Sequence, residues 1–175
     1  MKTEPQTAPH EPLYIDNGGI VLLWPFLSRY FSMLGLQKDG AFRGESQQQR
    51  AVHLLHYLSH GTIEAPAHAP VLNKILCGMD AAAPVEFGDA LTDQEQDVSG
   101  QVLQAVLQHW SALRGASIQG LRSAFLQRAG YLVQEENQWC LRVERGNFDM
   151  LLDRLPWSIS MIRLPGMERA LEVNW

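Results

Sequence analysis

Four histidines are the first groups in the chain that could do chemistry. His53, His56 and His60 stand at i, i+3 and i+7, and His68 follows closely. On a helix, His56 and His60 lie one turn apart, the spacing with which helical metal sites grip an ion. His53 and His60 are two turns apart, about 10 Å of helical rise, so one ion does not easily take both. No Asp or Glu lies between them to serve as a base, and they read as the partly exposed side of an amphipathic helix. Cys77 has no neighbouring His or second Cys, and Cys140 sits in an apolar-alternating stretch. Both read as small hydrophobes. No G-x-S-x-G elbow occurs, and no carboxylate pair stands in a recognisable catalytic context. Asn17-Gly18-Gly19 could offer backbone N–H groups to an anion. It lacks the Gly-Lys-Ser/Thr ending of a phosphate loop and reads as a structural turn. Nothing assembles into an active site, so the expectation is a binding or structural protein, not an enzyme, with no metal or cofactor.

The elements that must position these residues follow from periodicity. Residues 1–12 carry Pro5, Pro9 and Pro12 without an apolar repeat and read as a flexible lead-in. The remainder, 13–175, reads as one globular domain. Leu13-Tyr14-Ile15 forms a short strand closed by the turn residues Asp16-Asn17-Gly18-Gly19. Leu22, Leu23, Phe26, Leu27, Tyr30, Phe31 and Leu34 then follow helical spacing, with Pro25 in the first turn and Gly35 as the stop. A second helix is expected over Glu45–His60, ending at Gly61, and a short one over Pro70–Cys77. Thr92 and Glu95 have capping-box spacing and open a helix from Asp93 to about Leu113. Ser117 caps a further helix, Ile118–Arg128, closed by Gly130.

Beyond Gly130 the period changes. Tyr131–Gln134 and Trp139–Glu144 flank Glu135–Gln138 as a hairpin, Phe148–Leu155 makes a helical turn broken by Pro156, and short strands fall near 158–164 and 171–175. The fold class is α+β, a mostly helical bundle with a small C-terminal antiparallel sheet.

Composition limits the partners. The chain has 175 residues, enough for a core without staples, and a formal net charge of −5, which opposes general nucleic-acid binding. Two distant cysteines make no disulfide framework and suit a reducing compartment. The most apolar run, Ile20–Leu36, contains Pro25 and Arg29, so neither a membrane span nor a signal peptide is expected. The helices 93–113 and 118–128 with the hairpin do resemble a winged helix-turn-helix. The second helix offers only Arg122, Gln127 and Arg128 for DNA. A DNA-binding or regulatory protein is therefore the alternative reading.

A run of blocks in order resembles one family. Asp16–Leu27 (DNGGIVLLWPFL) is similar to the opening motif of the tape measure proteins of contractile injection systems, the phage-tail-like particles. The resemblance continues through Arg50–Leu58, Leu72–Gly78, His109–Leu113, Gly120–Arg128, Phe148–Ser160, Leu164-Pro165 and Trp175. Two positions depart from the pattern. Gly19 replaces a usual Ala, and Gly166 replaces a Trp expected after the proline.

The resemblance implies a non-enzymatic structural protein that helps to fix inner-tube length. It would work in the cytoplasm during assembly, then as part of the injection particle. A single helix of 175 residues would reach only about 260 Å at about 1.5 Å per residue, and this chain is patterned to be compact. It is therefore expected to be a globular terminal domain of a longer protein or a short assembly or capping relative. Its expected partners are tube, baseplate or spike-hub proteins, with homo-oligomerisation and without nucleic acid or membrane. The candidate contact groups are Trp24, Pro25 and Phe26; Asn73, Lys74, Cys77 and Gly78; and Pro156 with Trp157.

Overall fold

A computed structural model describes residues 11–64, 71–86 and 88–175. The first strand, β1 (Leu13–Ile15), is where the alternation places it. The chain then turns inward, and Asn17 to Leu23 are all buried. Gly18–Leu23 wind as a 3₁₀ turn that passes directly into α1 (Trp24–Met33). The regular helix thus begins two residues later than the spacing predicts, which keeps Pro25 in a first turn where its missing N–H costs nothing. A small hairpin absent from the sequence reading follows, β2 (Gln37–Lys38) and β3 (Ala41–Phe42). Its two-residue turn, Asp39-Gly40, has positive φ at both positions, the geometry that suits a tight hairpin. Strands of two residues are too short to display an alternation.

The next helices match their signals. α2 (Glu45–His60) stops at Gly61, whose φ of +78° is left-handed. α3 (Val71–Leu76) falls within the expected 70–77; Pro70 and His68 lie outside the described residues. α4 (Asp93–His109) opens with a complete capping box, the Thr92 hydroxyl accepting from the Glu95 N–H and the Glu95 carboxylate accepting from the Thr92 N–H.

Two expected helices are shorter. α4 ends at His109, not near Leu113, because Trp110 leaves the helical conformation, buries its ring and donates its indole N–H to the Leu151 carbonyl at 3.1 Å. α5 (Ile118–Leu121), capped by Ser117, widens into a π turn over Arg122–Leu126 where one helix to Arg128 is expected. That turn lets Arg122 and Gln127 reach the end of α2 while Arg128 reaches the Glu144 carbonyl after β5.

β4 (Gly130–Gln134) and β5 (Gln138–Val143) form the expected hairpin. A 3₁₀ turn, Asp149–Arg154, precedes Pro156. β6 (Met161–Ile162) is shorter than the predicted strand, and β7 (Ala170–Asn174) closes the chain. The sheet order is β1-β4-β5-β7-β6. The α+β class stands, but the sheet is mixed: β5 and β7 run parallel, and N-terminal β1 supplies one edge. Residues 144–169 return the chain to the same end of the sheet before β7 begins, which is what a parallel neighbour requires. Leu132, Leu141, Val143, Ile162, Leu171 and Val173 join the helices in one core.

His53, His56 and His60 are engaged within the chain. The His53 Nε2–H donates to the Glu86 carbonyl at 2.6 Å and His56 to the Glu64 carbonyl at 3.1 Å. His60 stacks on His56 with centroids 4.3 Å apart and faces Asp16 at 3.5 Å. His56 is buried, not on a partly exposed side as the spacing suggests. Among the described residues no three His, Cys, Asp or Glu side chains are grouped to hold a metal ion.

Burial, followed by the neighbouring His60, holds the His56 imidazole below its ordinary range. The unfolded chain therefore takes up a proton near pH 6.5 that the folded chain resists, and stability is complete above that pH and falls below it. Urea denaturation should show stability falling from pH 7 to pH 5, with His56→Leu flattening that window. An unchanged slope in the variant would exclude His56 as its source.

Among the described glycines the tightest approach is at Gly19, where a Cβ would lie 1.7 Å from the Phe125 carbonyl oxygen. Gly19→Ala should cost about 2 kcal/mol or more through overpacking and lower the melting temperature by about 5 °C. A variant melting with the parent would show that the two segments separate freely.

Candidate partner-docking site

Two of the segments expected to meet partners meet each other first. The buried turn Gly18–Leu23 delivers Trp24, Pro25 and Phe26 to the start of α1, while Pro156 ends the 149–154 turn and releases Trp157. The Trp24 indole N–H donates to the Ser158 carbonyl, and the Trp157 indole N–H donates to the Leu22 carbonyl, both at 2.9 Å. Phe26 sets its ring edge-on to Trp157 at 5.2 Å and to His109 at 5.7 Å. Such edge-to-face contacts add about 1 kcal/mol beyond area burial. Pro25 and Pro156 are exposed, and the three large rings are half-buried. The result is a firm aromatic surface joined across more than 130 residues of chain. It combines apolar faces with indole N–H groups already satisfied, so a partner covering it strands no donor.

The third expected group does not belong to a surface. Asn73 and Cys77 are fully buried and Lys74 nearly so. The Asn73 amide donates to the Val52 carbonyl and its oxygen accepts from Asn17 at 2.8 Å, joining three segments in the interior. Lys74 donates to the Ala81 carbonyl at 3.3 Å. Burial pushes the Cys77 thiol far up, so it is an inert core group. These side chains are corrected from partner contacts to core: α3 is buried along most of its length because it packs between α2 and β1. Gly78 alone of this group reaches the surface, where its Cβ would lie 2.6 Å from the Gly166 carbonyl oxygen.

The residues expected for DNA reading, two arginines and a glutamine, are also occupied. Arg122 donates to the Leu58 and Tyr57 carbonyls and lies over the Tyr57 ring, and Gln127 donates to the Ser59 carbonyl. Together they close the C-terminus of α2, whose last carbonyls favour a cation. Arg128 is buried among the carbonyls of Ala124 and Glu144 and the Asp149 carboxylate. Burial alone would raise the Asp149 carboxyl, but hydrogen bonds from Arg128, the Gly146 N–H and the Trp175 indole hold it below its usual range. None of the three is free to face a phosphate or a base edge.

Phe148 and Met150 are strongly exposed at the start of the 149–154 3₁₀ segment. No helix among the described residues is long and apolar enough to cross a membrane.

A family model described as contractile injection system tape measure protein matches residues 1–175. No curated protein and no solved structure matches the chain. The family match covers every block from the buried turn before Trp24 to Trp175, so this chain belongs to the contractile injection system tape measure protein family, a structural component of the injection particle.

Proposed function

We propose that this chain is an assembly module that docks on tube, baseplate or spike-hub proteins and contributes to inner-tube length control. The whole-chain family match carries the reading. The surface built from Trp24, Pro25, Phe26, Pro156 and Trp157 supports docking, because it is aromatic, half-buried and held rigid by hydrogen bonds to Ser158 and Leu22. A compact chain of this length has a radius of gyration of about 16 Å. It therefore acts by bringing components together, in several copies, during assembly in the cytoplasm, and not by spanning a tube itself. Any longer ruler is a separate extension. The chemistry is association without bond making.

Deleting the gene should leave particles unassembled or of irregular length in electron micrographs, and particles of normal number and length would overturn the reading. The surface is tested separately by Pro25→Glu with Pro156→Glu. Both positions are exposed, and an acidic residue suits the first turn of α1, so stability should change by no more than about 1 kcal/mol. The folded double variant should fail to co-purify with tube or baseplate proteins. Retained co-purification would move docking to another face.

A further inference from the structure

One dipeptide in the buried turn carries a chemistry of its own. Asn17 is the one asparagine in the chain that is followed by glycine. Glycine has no side chain to shield its amide nitrogen, so in an open chain the Gly18 nitrogen can attack the Asn17 side-chain amide. A bond forms from that nitrogen to the Asn17 Cγ, the Cγ–Nδ2 bond breaks, and the backbone proton leaves with the side-chain nitrogen as ammonia. Water then opens the cyclic imide at either carbonyl, giving aspartate or isoaspartate at position 17.

The fold blocks each requirement of that step. The Gly18 N–H, which must give up its proton, donates to the Arg128 carbonyl at 2.8 Å. The Asn17 carbonyl accepts from the Ile20 N–H at 3.0 Å, which holds the peptide plane between Asn17 and Gly18. Ring closure needs the Gly18 nitrogen eclipsed with the Asn17 Cβ, but at a ψ of 35° the two are nearly anti. Asn17 is 0% exposed, so the base and the water that the reaction consumes are kept away.

The product does not fit either. The Asn17 amide donates to the Asn73 oxygen, and the Asn73 amide donates to the Val52 carbonyl, a relay with one direction. An aspartate at position 17 sets an acceptor against an acceptor. Turning the Asn73 amide over only moves the conflict to the Val52 carbonyl, which is backbone and cannot reverse. The Asn17 Oδ1 has no donor among the described residues, so a carboxylate there is a buried charge with nothing to pair it. Isoaspartate adds a methylene to the backbone and carries the Gly18 N–H off the Arg128 carbonyl, while Gly19 has no room to shift beneath Phe125.

We propose that Asn17 is a deamidation site open only in the unfolded chain, and that its conversion there bars the chain from folding. Folding and deamidation then exclude each other, and the buried turn separates fresh chains from aged ones before any partner is met. The inference stands apart from the docking role and does not depend on it.

The test is mass spectrometry of the full chain after incubation at mildly alkaline pH, in buffer and in urea. Trypsin releases residues 3–29, in which Asn17 is the one asparagine. Its conversion to the heavier acid should run at least about tenfold slower in buffer, because the buried turn opens only when the fold does. Urea-aged chains are then diluted into buffer and separated by size, and the converted peptide should be confined to the aggregated fraction. The Asn17→Asp variant should melt about 10 °C or more below the parent, or show no cooperative transition. Equal conversion in buffer and urea, converted chains recovered in the folded fraction in their original proportion, or a variant melting with the parent would each overturn the proposal. Those failures leave the aromatic surface and its co-purification test untouched.

Discussion

The fold depends on a stretch of backbone driven through its own interior. Residues 17–23 are buried, yet every peptide group there still needs a partner. The Gly18 N–H donates to the Arg128 carbonyl at 2.8 Å, and Asn17 hands a hydrogen bond to Asn73, which hands one to the Val52 carbonyl. The approach at Gly19 is so close that no side chain fits beneath Phe125. This buried turn touches α2, β5 and the π turn at once, so the N-terminal strand, the helices and the sheet are placed relative to one another by a single segment.

Charge organises the periphery of the same core. Arg50 grips Glu95 through two hydrogen bonds of 2.7 and 2.6 Å and also holds the Asp89 and Ala90 carbonyls, strapping the irregular segment before α4 onto α2. Burial would raise the Glu95 carboxyl, but Arg50 and Thr92 together pull it below its ordinary range. At the opposite end, Arg128, Asp149 and Trp175 lock the last residue against the 149–154 turn. Bidentate pairs of this kind fix geometry as well as contribute energy. They also explain why a chain with 14 basic residues has little basic surface at the segment that resembles a DNA reader.

The surface proposed for docking is aromatic and already hydrogen-bonded, built where the entrance to α1 meets the chain after Pro156. Its indole N–H groups are spent on the Ser158 and Leu22 carbonyls, and its rings are half-buried, the combination that suits the apolar centre of an interface.

Local signals alone determined much of this. Gly61 stops α2 and the Thr92–Glu95 box starts α4 because caps and left-handed glycines are satisfied within a few residues. The β4–β5 hairpin was legible for the same reason, and so was the family, whose blocks are linear runs of side chains. Tertiary structure decided what depends on a distant partner. Trp110 ended α4 early to reach Leu151, and three side chains scattered from one turn to close α2 and hold Asp149. β7 lay parallel to β5 because of the path between them, and Asn73 and Cys77 turned inward where their neighbours required it. The aromatic candidates were legible in the sequence as residue types, but only folding could bring Trp24 and Trp157 to one surface. Hydrogen-bond partners more than a hundred residues away leave no periodicity in a sequence.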